Sequence, residues 1–350
     1  MKSIRITEKI AIGQNRPCFI AAEIGINHNG DMELAKKMIL AAKEAGVDAV
    51  KFQNYHTEDF IIDKSLTYTY ISKGRTISET QYEMFKRYEL NVEQLGTLKD
   101  YCDELGLVFF STPTSVKGVK DLQRINTPLF KNGSDFLVNL ELIAEMAKTK
   151  IPTVISTGMA TLAEIDDAVQ AFERAGGKEL IILHCISAYP TPAEEVNLRK
   201  IPALMQAFQY PVGFSDHTEG IVAALGAVAL GACFVEKHFT LDKNLEGPDH
   251  RFSANPQEMK DLVNAIRFLE KSFGTSKIAP TTKEQEGRLN FRLSCVAKTD
   301  LAQGHILRKE DIAFSRPATG LAPKFMDLLL GKTLKNDLKM GQLLDLEHVI

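Results

Sequence analysis

From residue 19 the chain repeats one unit eight times: a short apolar run, a polar or glycine-containing stop, and in most cases an amphipathic segment. The runs are Phe19–Gly25, Ala49–Asn54, Val108–Pro113, Leu129–Ser134, Pro152–Gly158, Leu180–Cys185, Pro211–Asp216 and Phe234–Thr240. They are nearly continuous in hydrophobicity rather than alternating, the pattern of strands covered on both faces. Met32–Ala45 sets Leu34, Met38, Ile39 and Ala42 at helical spacing, and Gly46 is placed to end that helix. Ala160–Ala175 stops at Gly176-Gly177, and Asn255-Pro256 reads as a cap and first-turn proline opening a helix to Ser272. Strand–helix units repeated eight times over roughly 250 residues predict an α/β fold of the (β/α)8 TIM-barrel type. A doubly wound sheet competes, but it asks for Gly-x-Gly-x-x-Gly after the first strand. Here that stretch is Glu23-Ile24-Gly25-Ile26-Asn27-His28-Asn29-Gly30.

The barrel accounts for residues 1–273 of the 350. Residues 274–287 are polar and aperiodic and read as a linker, leaving 288–350 as a small, mostly β second domain. Within it a helix-like stretch is expected around Leu307–Ile312. Two related phrases, Asp300–Leu307 and Asp337–Leu344, each run Asp-Leu, then Gly, then apolar residues, as paired turn units would. Gly331-Lys332-Thr333 echoes the end of a phosphate-binding loop, but Met326 stands where its first glycine is required.

Composition excludes several classes. A net charge of −3 removes the usual electrostatic case for a nucleic-acid binder. No apolar run approaches the roughly 18–20 residues of a membrane span. The opening Met1–Arg5 leads into mixed residues rather than a signal peptide. The five cysteines are odd in number, far apart and without a Cys-x-x-Cys, so neither a zinc knuckle nor a disulfide framework is indicated. A cytoplasmic globular protein is expected.

In a barrel of this type chemistry sits at the C-terminal ends of the strands, and polar residues collect there. The first strand ends in Glu23, and the second carries Lys51, Gln53 and Asn54. Thr112, Lys131, Ser134, Asp135 and Ser156 follow on the next three. His184 and Cys185 close the sixth, with Ser187 and Tyr189 after it. Ser215-Asp216-His217 closes the seventh, and Glu236-Lys237-His238 the eighth, with Asp249 beyond. Lysines in apolar strands are costly unless paired or facing an anion. Lys51 and Lys131, with Thr112, Ser134, Ser156 and Ser215, make a cradle for a doubly charged group; the alternative is that they pair with Glu23 or Glu236. His217 and His238 end adjacent strands, and two imidazoles with water suit a divalent metal. The alternative is a hydrogen-bonded pair with no metal. His56, His305 and His348 read as surface or structural, His184 and Cys185 as core, and His250 is left open.

These residues resemble the sialic acid synthases, the family of N-acetylneuraminate, legionaminate and pseudaminate synthases. The matching phrases run in order along the chain. They are Glu23–Gly30, Val50-Lys51-Phe52-Gln53, Phe110–Pro113, Ile155–Met159, Tyr189–Pro192, Gly213–Thr218 and Glu236–Thr240. The tail, with Arg316-Pro317, resembles the antifreeze-like (SAF) domain that ends these enzymes. The resemblance implies that phosphoenolpyruvate condenses with the open-chain aldehyde of an N-acetylated amino sugar and releases phosphate. It implies a divalent metal, Mn2+ before Mg2+ or Co2+, on His217 and His238. Lys51, Thr112, Lys131, Ser134, Ser156 and Ser215 would hold phosphoenolpyruvate. Glu23, Glu236 and Asp249 join the two histidines as candidate catalytic residues. Gln53, Asp135, Ser187 and Tyr189 complete the candidate substrate set. Arg316 would reach the partner's site in a domain-swapped homodimer.

Two departures concern the sugar. Phe136 stands where the family often has an acid that binds sugar hydroxyls, and Ser187 stands where some neuraminate synthases have Asn. N-acetylneuraminate is the expected product, with a legionaminate, pseudaminate or spore-coat-type product as the alternative. A non-catalytic glycan binder is the reading from a different class.

Overall fold

The computed structural model describes residues 3–350 and divides into two compact units, one ending at Gly274 and one starting at Thr275. In the first unit eight parallel strands close into a barrel. They are β1 (Phe19–Gly25), β2 (Ala49–Asn54), β3 (Val108–Pro113), β4 (Phe130–Asn132), β5 (Thr153–Ser156), β6 (Leu180–Cys185), β7 (Val212–Asp216) and β8 (Phe234–His238). β8 pairs with β1 to complete the ring. The predicted strand order and class hold. The helix Met32–Ala45 is capped by the Asp31 carboxylate at its start and by Gly46 at φ 86° at its end. Pro256–Ser272 begins on an Asn255–Glu258 capping box.

The apolar runs conceal a period of two. Phe19 and Ala21, Val108 and Phe110, Leu129, Val154, Ile181, Leu183 and Phe234 form one cluster inside the barrel. Their sequence neighbours Ile20, Ala22, Val50, Phe109, Phe130 and Val235 pack outward in the cluster that includes the helix residues Met38, Leu98 and Ile266. The interior therefore begins as stacked apolar side chains at the N-terminal end. There a small hairpin, Ile4–Arg5 against Ala11–Ile12, adds Ile4, Ile6 and Ile12 to the same cluster. Gly213 is required by this crowding, since a Cβ would stand 2.6 Å from Phe234 O and from Leu183 Cδ2.

Between β2 and β3 lies an insertion that the sequence reading passed over. A hairpin, Thr67–Ser72 with Arg75–Thr80, leads into helix Gln81–Tyr88 and then into the crossover helix Val92–Leu105. The hairpin is tied to the segment after β8. Gly247 N donates to Ser72 Oγ at 3.1 Å, and Lys73 pairs with Glu246 at 3.2 Å.

The second unit differs from expectation at its start. The expected linker 274–287 contains the beginning of a helix, Thr282–Phe291. Glu284 Oε2 accepts from the Thr281 backbone N–H, a capping interaction at the helix start. No residue of this helix is buried and it has no apolar face, so periodicity could not reveal it. Around 307–312 there is no α-helix but a 3-10 turn, Lys309–Asp311, followed by the strand Ile312–Ser315 paired with Ser294–Ala297. The two related phrases pair with each other: Leu301 bridges Leu338, Gln303 N donates to Asp337 Oδ1, and Met340 N donates to Asp300 Oδ1. Gly304 and Gly341 share φ 82°, so the repeated glycine serves the same turn twice.

Lys237 points out of the barrel, where its Nζ lies 2.8 Å from Asp216 Oδ2 and 2.7 Å from Thr218 O, all buried. Removing the lysine leaves a dry carboxylate. Lys237→Ala is expected to cost about 3–5 kcal/mol, read as a lower midpoint in urea unfolding of the barrel. A loss below about 1 kcal/mol would show that the pair is accessible to water.

Candidate active site

Above the apolar layers the same inward positions turn polar. Glu23 is level with Lys51 on one side and with His238 on the other, and Ser215 is level with Glu236. These side chains form a buried chain of alternating charge. Glu23 Oε1 lies 3.1 Å from Lys51 Nζ, and Lys51 Nζ lies 3.7 Å from Glu236 Oε2. Glu236 Oε1 lies 3.6 Å from Lys131 Nζ. Ser215 Oγ donates to Glu236 Oε1 at 2.9 Å, Lys51 to Thr112 Oγ1 at 3.3 Å, and Gln53 Nε2 to Glu23 Oε1 at 3.4 Å. The ion pairing weighed as the alternative to an anion cradle is thus present. It is incomplete, because Glu23 Oε2, Glu236 Oε2 and Ser156 Oγ are buried without hydrogen-bond partners. Such atoms cost about 1–3 kcal/mol each when left unpaired, and their concentration here marks a place for a polar ligand.

The lysines separate the two carboxyls, which are equally buried. Burial pushes Glu23 up to about 7, against the pull of Lys51. Glu236 feels the same burial, but Lys131 and Lys51 outweigh it and hold it below the usual range. Lys131 is lowered by burial, with Glu236 opposing, whereas for Lys51 the carboxylates Glu23 and Glu236 outweigh burial and raise it. One acid that exchanges protons near neutrality beside one that stays ionised is an arrangement suited to proton transfer.

Ser134 follows β4 in a 3-10 turn, Ser134–Phe136, and its Oγ accepts from Gly158 N at 3.0 Å. A Cβ on Gly158 would stand 2.7 Å from Ser134 Oγ and overlap Ser187 Oγ, so glycine lets three loops meet. Cys185 belongs to the cavity, not only to the core: its Sγ is 3.5 Å from Ser134 Oγ and 3.9 Å from His217 Nδ1. The alternation through Ile181 and Leu183 could have shown that it faces inward.

The rings of His217 and His238 lie 5.4 Å apart. His217 Nδ1 donates to Ile186 O at 2.7 Å, which leaves the Nε2 lone pair free. Burial lowers His217, but Cys185 and the Ile186 carbonyl outweigh it, so the surroundings favour positive charge at this corner. His238 is held well below its usual range by burial, with His217 adding to the effect, and is neutral. Its Nδ1 is buried without a hydrogen-bond partner, 3.8 Å from Asp249 Oδ2. Burial raises Asp249 to about 6. The Tyr189 ring packs against that of His217 at 4.3 Å, tilted by 40°, and Phe252 stands 5.2 Å from His238. Among the described residues no three His, Cys, Asp or Glu side chains converge as a metal-binding group. The two imidazoles, one with an orphaned nitrogen, fit a divalent ion that takes only these two ligands from the protein.

One cavity of about 410 Å3 is lined by Glu23, Lys51, Gln53, Thr112, Lys131, Ser134, Asp135, Ser156, Tyr189, Ser215, His217, Glu236, His238 and Asp249. Ser187 is not on its surface but sits behind Gly158, its Oγ buried and unpartnered. Arg316 belongs to the second unit, where its guanidinium lies 5.5 Å from the Phe291 ring. The cavity also holds residues that sequence reasoning missed: Tyr55, Phe60, Tyr68, Gln81, Met84, Phe85, Thr114 and Pro248. Several come from the insertion between β2 and β3, whose length was the available signal.

The remaining six histidines do not line the cavity; among them His28 is buried, and its Nδ1 accepts from Gly30 N at 3.0 Å. His184 is buried and its Nε2 meets Val196 O at 2.6 Å. His250, pulled to about 4 by burial, bonds Thr240 Oγ1 at 2.6 Å. His56 and His305 meet Asp121 and Asp311, and His348 Nδ1 accepts from Asp345 N.

A sequence model of the NeuB family matches residues 38–278, and one of the SAF domain matches residues 294–350. The chain is 40% identical to N,N'-diacetyllegionaminic acid synthase of Legionella pneumophila over 96% of each chain. It is 35% identical to human N-acetylneuraminate-9-phosphate synthase over 95% of this chain and 94% of that one. The crystal structure of N-acetylneuraminic acid synthetase from Leptospira borgpetersenii superposes with a TM-score of 0.74 at 34% identity. It covers 82% of this chain and 95% of its own. With a family model over more than half its length and relatives matching nearly all of it, the chain belongs to the NeuB family of sialic acid synthases.

Proposed function

We propose that the chain condenses phosphoenolpyruvate with the open-chain aldehyde of an N-acetylated mannosamine-type sugar, forms a carbon–carbon bond and releases phosphate. The observation that carries this reading is the pair of buried lysines at the barrel mouth, Lys51 and Lys131, beside unpartnered Glu23, Glu236 and Ser156 atoms. A phosphate and a carboxylate would take over the lysines and the hydroxyls of Thr112, Ser134, Ser156 and Ser215 with charge-assisted bonds. A purely structural salt-bridge network would leave no buried polar atoms unsatisfied.

His217 and His238 would hold a divalent ion, for which Mn2+ is the first choice and Mg2+ or Co2+ the alternatives. When bound, it supplies Lewis-acid stabilisation for charge that gathers on the aldehyde oxygen. The chain's own groups do the rest. As the enolpyruvate methylene carbon joins the aldehyde carbon, protonated Glu23 is placed to give its proton to the aldehyde oxygen, which becomes a hydroxyl. The pyruvyl carbon then accepts water, whose released proton returns to Glu23, and Glu236, kept ionised between the lysines, stabilises the positive charge that develops before water adds. Loss of phosphate from this adduct leaves the dianion among Lys51 and Lys131. Neither lysine needs to lose its proton.

N-acetylneuraminate is the product expected from the sequence. The names of the relatives extend over N-acetylneuraminate-9-phosphate, legionaminic acid and pseudaminic acid. The choice of sugar therefore rests on the chemistry of the cavity wall.

Purified protein with phosphoenolpyruvate, Mn2+ and an N-acetylated mannosamine is expected to release phosphate, followed in a continuous phosphate assay. The reading fails if no phosphate appears with N-acetylmannosamine, its 6-phosphate or 2,4-diacetamido-2,4,6-trideoxymannose. Lys131→Ala is expected to lower kcat/KM for phosphoenolpyruvate by about 10–100-fold, the loss of one charge-assisted contact. His217→Ala is expected to abolish the quenching of free Mn2+ signal by the protein in electron paramagnetic resonance; undiminished binding would reject the histidine pair as the metal site. Arg316→Ala is expected to raise KM for the sugar and leave KM for phosphoenolpyruvate unchanged, as a lid contributed by a second copy would. An unchanged sugar KM would remove that role.

A further inference from the structure

The cavity has two kinds of surface. Its floor is the charged layer at the strand ends. Its upper wall is mainly apolar and is built from segments between the strands: Tyr55, Phe60, Met84, Phe85 and Phe136, with Tyr68 and Gln81 the polar side chains that the same insertion adds. Phe60 is the hub. Its ring lies 5.8 Å from Tyr55, 5.2 Å from Phe85 and 6.4 Å from Phe136, each in an edge-on arrangement. Tyr55 lies 5.4 Å from Phe85, also edge-on, and spends its hydroxyl on the Phe85 carbonyl at 3.1 Å, so that it offers the cavity a ring. Met84 is buried, while Phe60, Phe85 and Phe136 are half-buried and keep part of their surface open. One polar atom on the same cavity, Thr114 Oγ1, is buried without a partner and suits a single hydrogen bond.

Rings packed edge to face support one another, and phenylalanine rings offer no hydrogen bond to a hydroxyl. A polyhydroxy chain laid against them would lose hydration without replacement, at a cost that apolar groups do not meet. The carboxylate and phosphate of phosphoenolpyruvate are matched by the lysine floor, and its methylene carbon has to face the aldehyde rather than the wall. The wall therefore faces the second substrate, at the end away from the aldehyde.

We infer that Phe60, Phe85 and Phe136 are specificity-determining residues, and that the acceptor carries methyl groups where a plain N-acetylated hexosamine carries hydroxyls. This rests on the proposed condensation. The methyl can come from a deoxygenated terminal carbon or from a second acetamido group, and for the latter Thr114 supplies the hydrogen bond to the amide. The wall selects by desolvation, so its preference is moderate: about 10–100-fold, the range over which an apolar pocket discriminates a hydroxyl from a methyl.

The test compares three sugars with the full-length protein, phosphoenolpyruvate and Mn2+: N-acetylmannosamine, 2-acetamido-2,6-dideoxymannose and 2,4-diacetamido-2,4,6-trideoxymannose. The expected result is that kcat/KM rises at least 10-fold from the first to the last. The step at which it rises separates the terminal methyl from the acetamido methyl. Phe136→Asn and Phe60→Asn, made separately, are each expected to shrink this ratio several-fold, with KM for phosphoenolpyruvate unchanged as the control for folding. Equal kcat/KM for the three sugars in the unsubstituted protein overturns the inference, as does a ratio that both variants preserve. Phosphate release from none of the sugars overturns the condensation itself. In that case the rise in melting temperature with each sugar alone still reads the wall: methyl-bearing sugars stabilising more supports it, and equal or opposite stabilisation rejects it.

Discussion

Two carboxylates and two ammonium groups, all buried, alternate around the mouth of the barrel, and the surrounding structure is arranged to keep them there. Glu23, Lys51, Glu236 and Lys131 come from four strands, so no local segment could assemble them; only closure of the ring brings β8 beside β1 and makes the chain continuous. Each charge is tolerable because its neighbours are of opposite sign, and none is fully satisfied. This is the physical form of preorganisation: the cost of gathering the charges is met by folding the barrel, and a ligand arrives to find its partners already desolvated. The separation of Glu23 from Glu236 in proton affinity follows from the same geometry, since Glu236 sits between both lysines and Glu23 beside one.

Much of this was legible in the sequence because a barrel strand has a simple grammar. Residues two apart share a face, so Phe19, Ala21 and Glu23, or Phe234, Glu236 and His238, pass from core to chemistry along one line of side chains. A charged residue at the end of such a run is anomalous enough to be noticed. The histidine pair was legible for the same reason. Cys185 was underestimated because a small buried thiol looks the same whether it faces a helix or a cavity. The aromatic wall was less legible still. Tyr55, Phe60, Met84 and Phe85 lie between strands, where neither period holds, and Phe136 was noted only as a departure from an expected acid. The helix Thr282–Phe291 escaped because helices are read by their apolar face, and it has none.

The two units illustrate different routes to order. The barrel depends on layers of packed side chains. The second unit has few regular elements, a cluster around Cys295, Leu307, Leu334 and Leu344, and a repeated turn whose copies hydrogen-bond each other. Reciprocal pairing of two similar phrases lets a small unit satisfy backbone groups that a longer sheet would otherwise pair.

The small hairpin at the N-terminal end of the barrel has a consequence for traffic. With Ile4, Ile6 and Ile12 set against the apolar layers, the barrel is a blind tube. Whatever reaches the lysines enters from the strand-end side, where the aromatic rings form part of the cavity wall. Entry and exit therefore share one end of the barrel, and which end that is was decided by where the stopper sits.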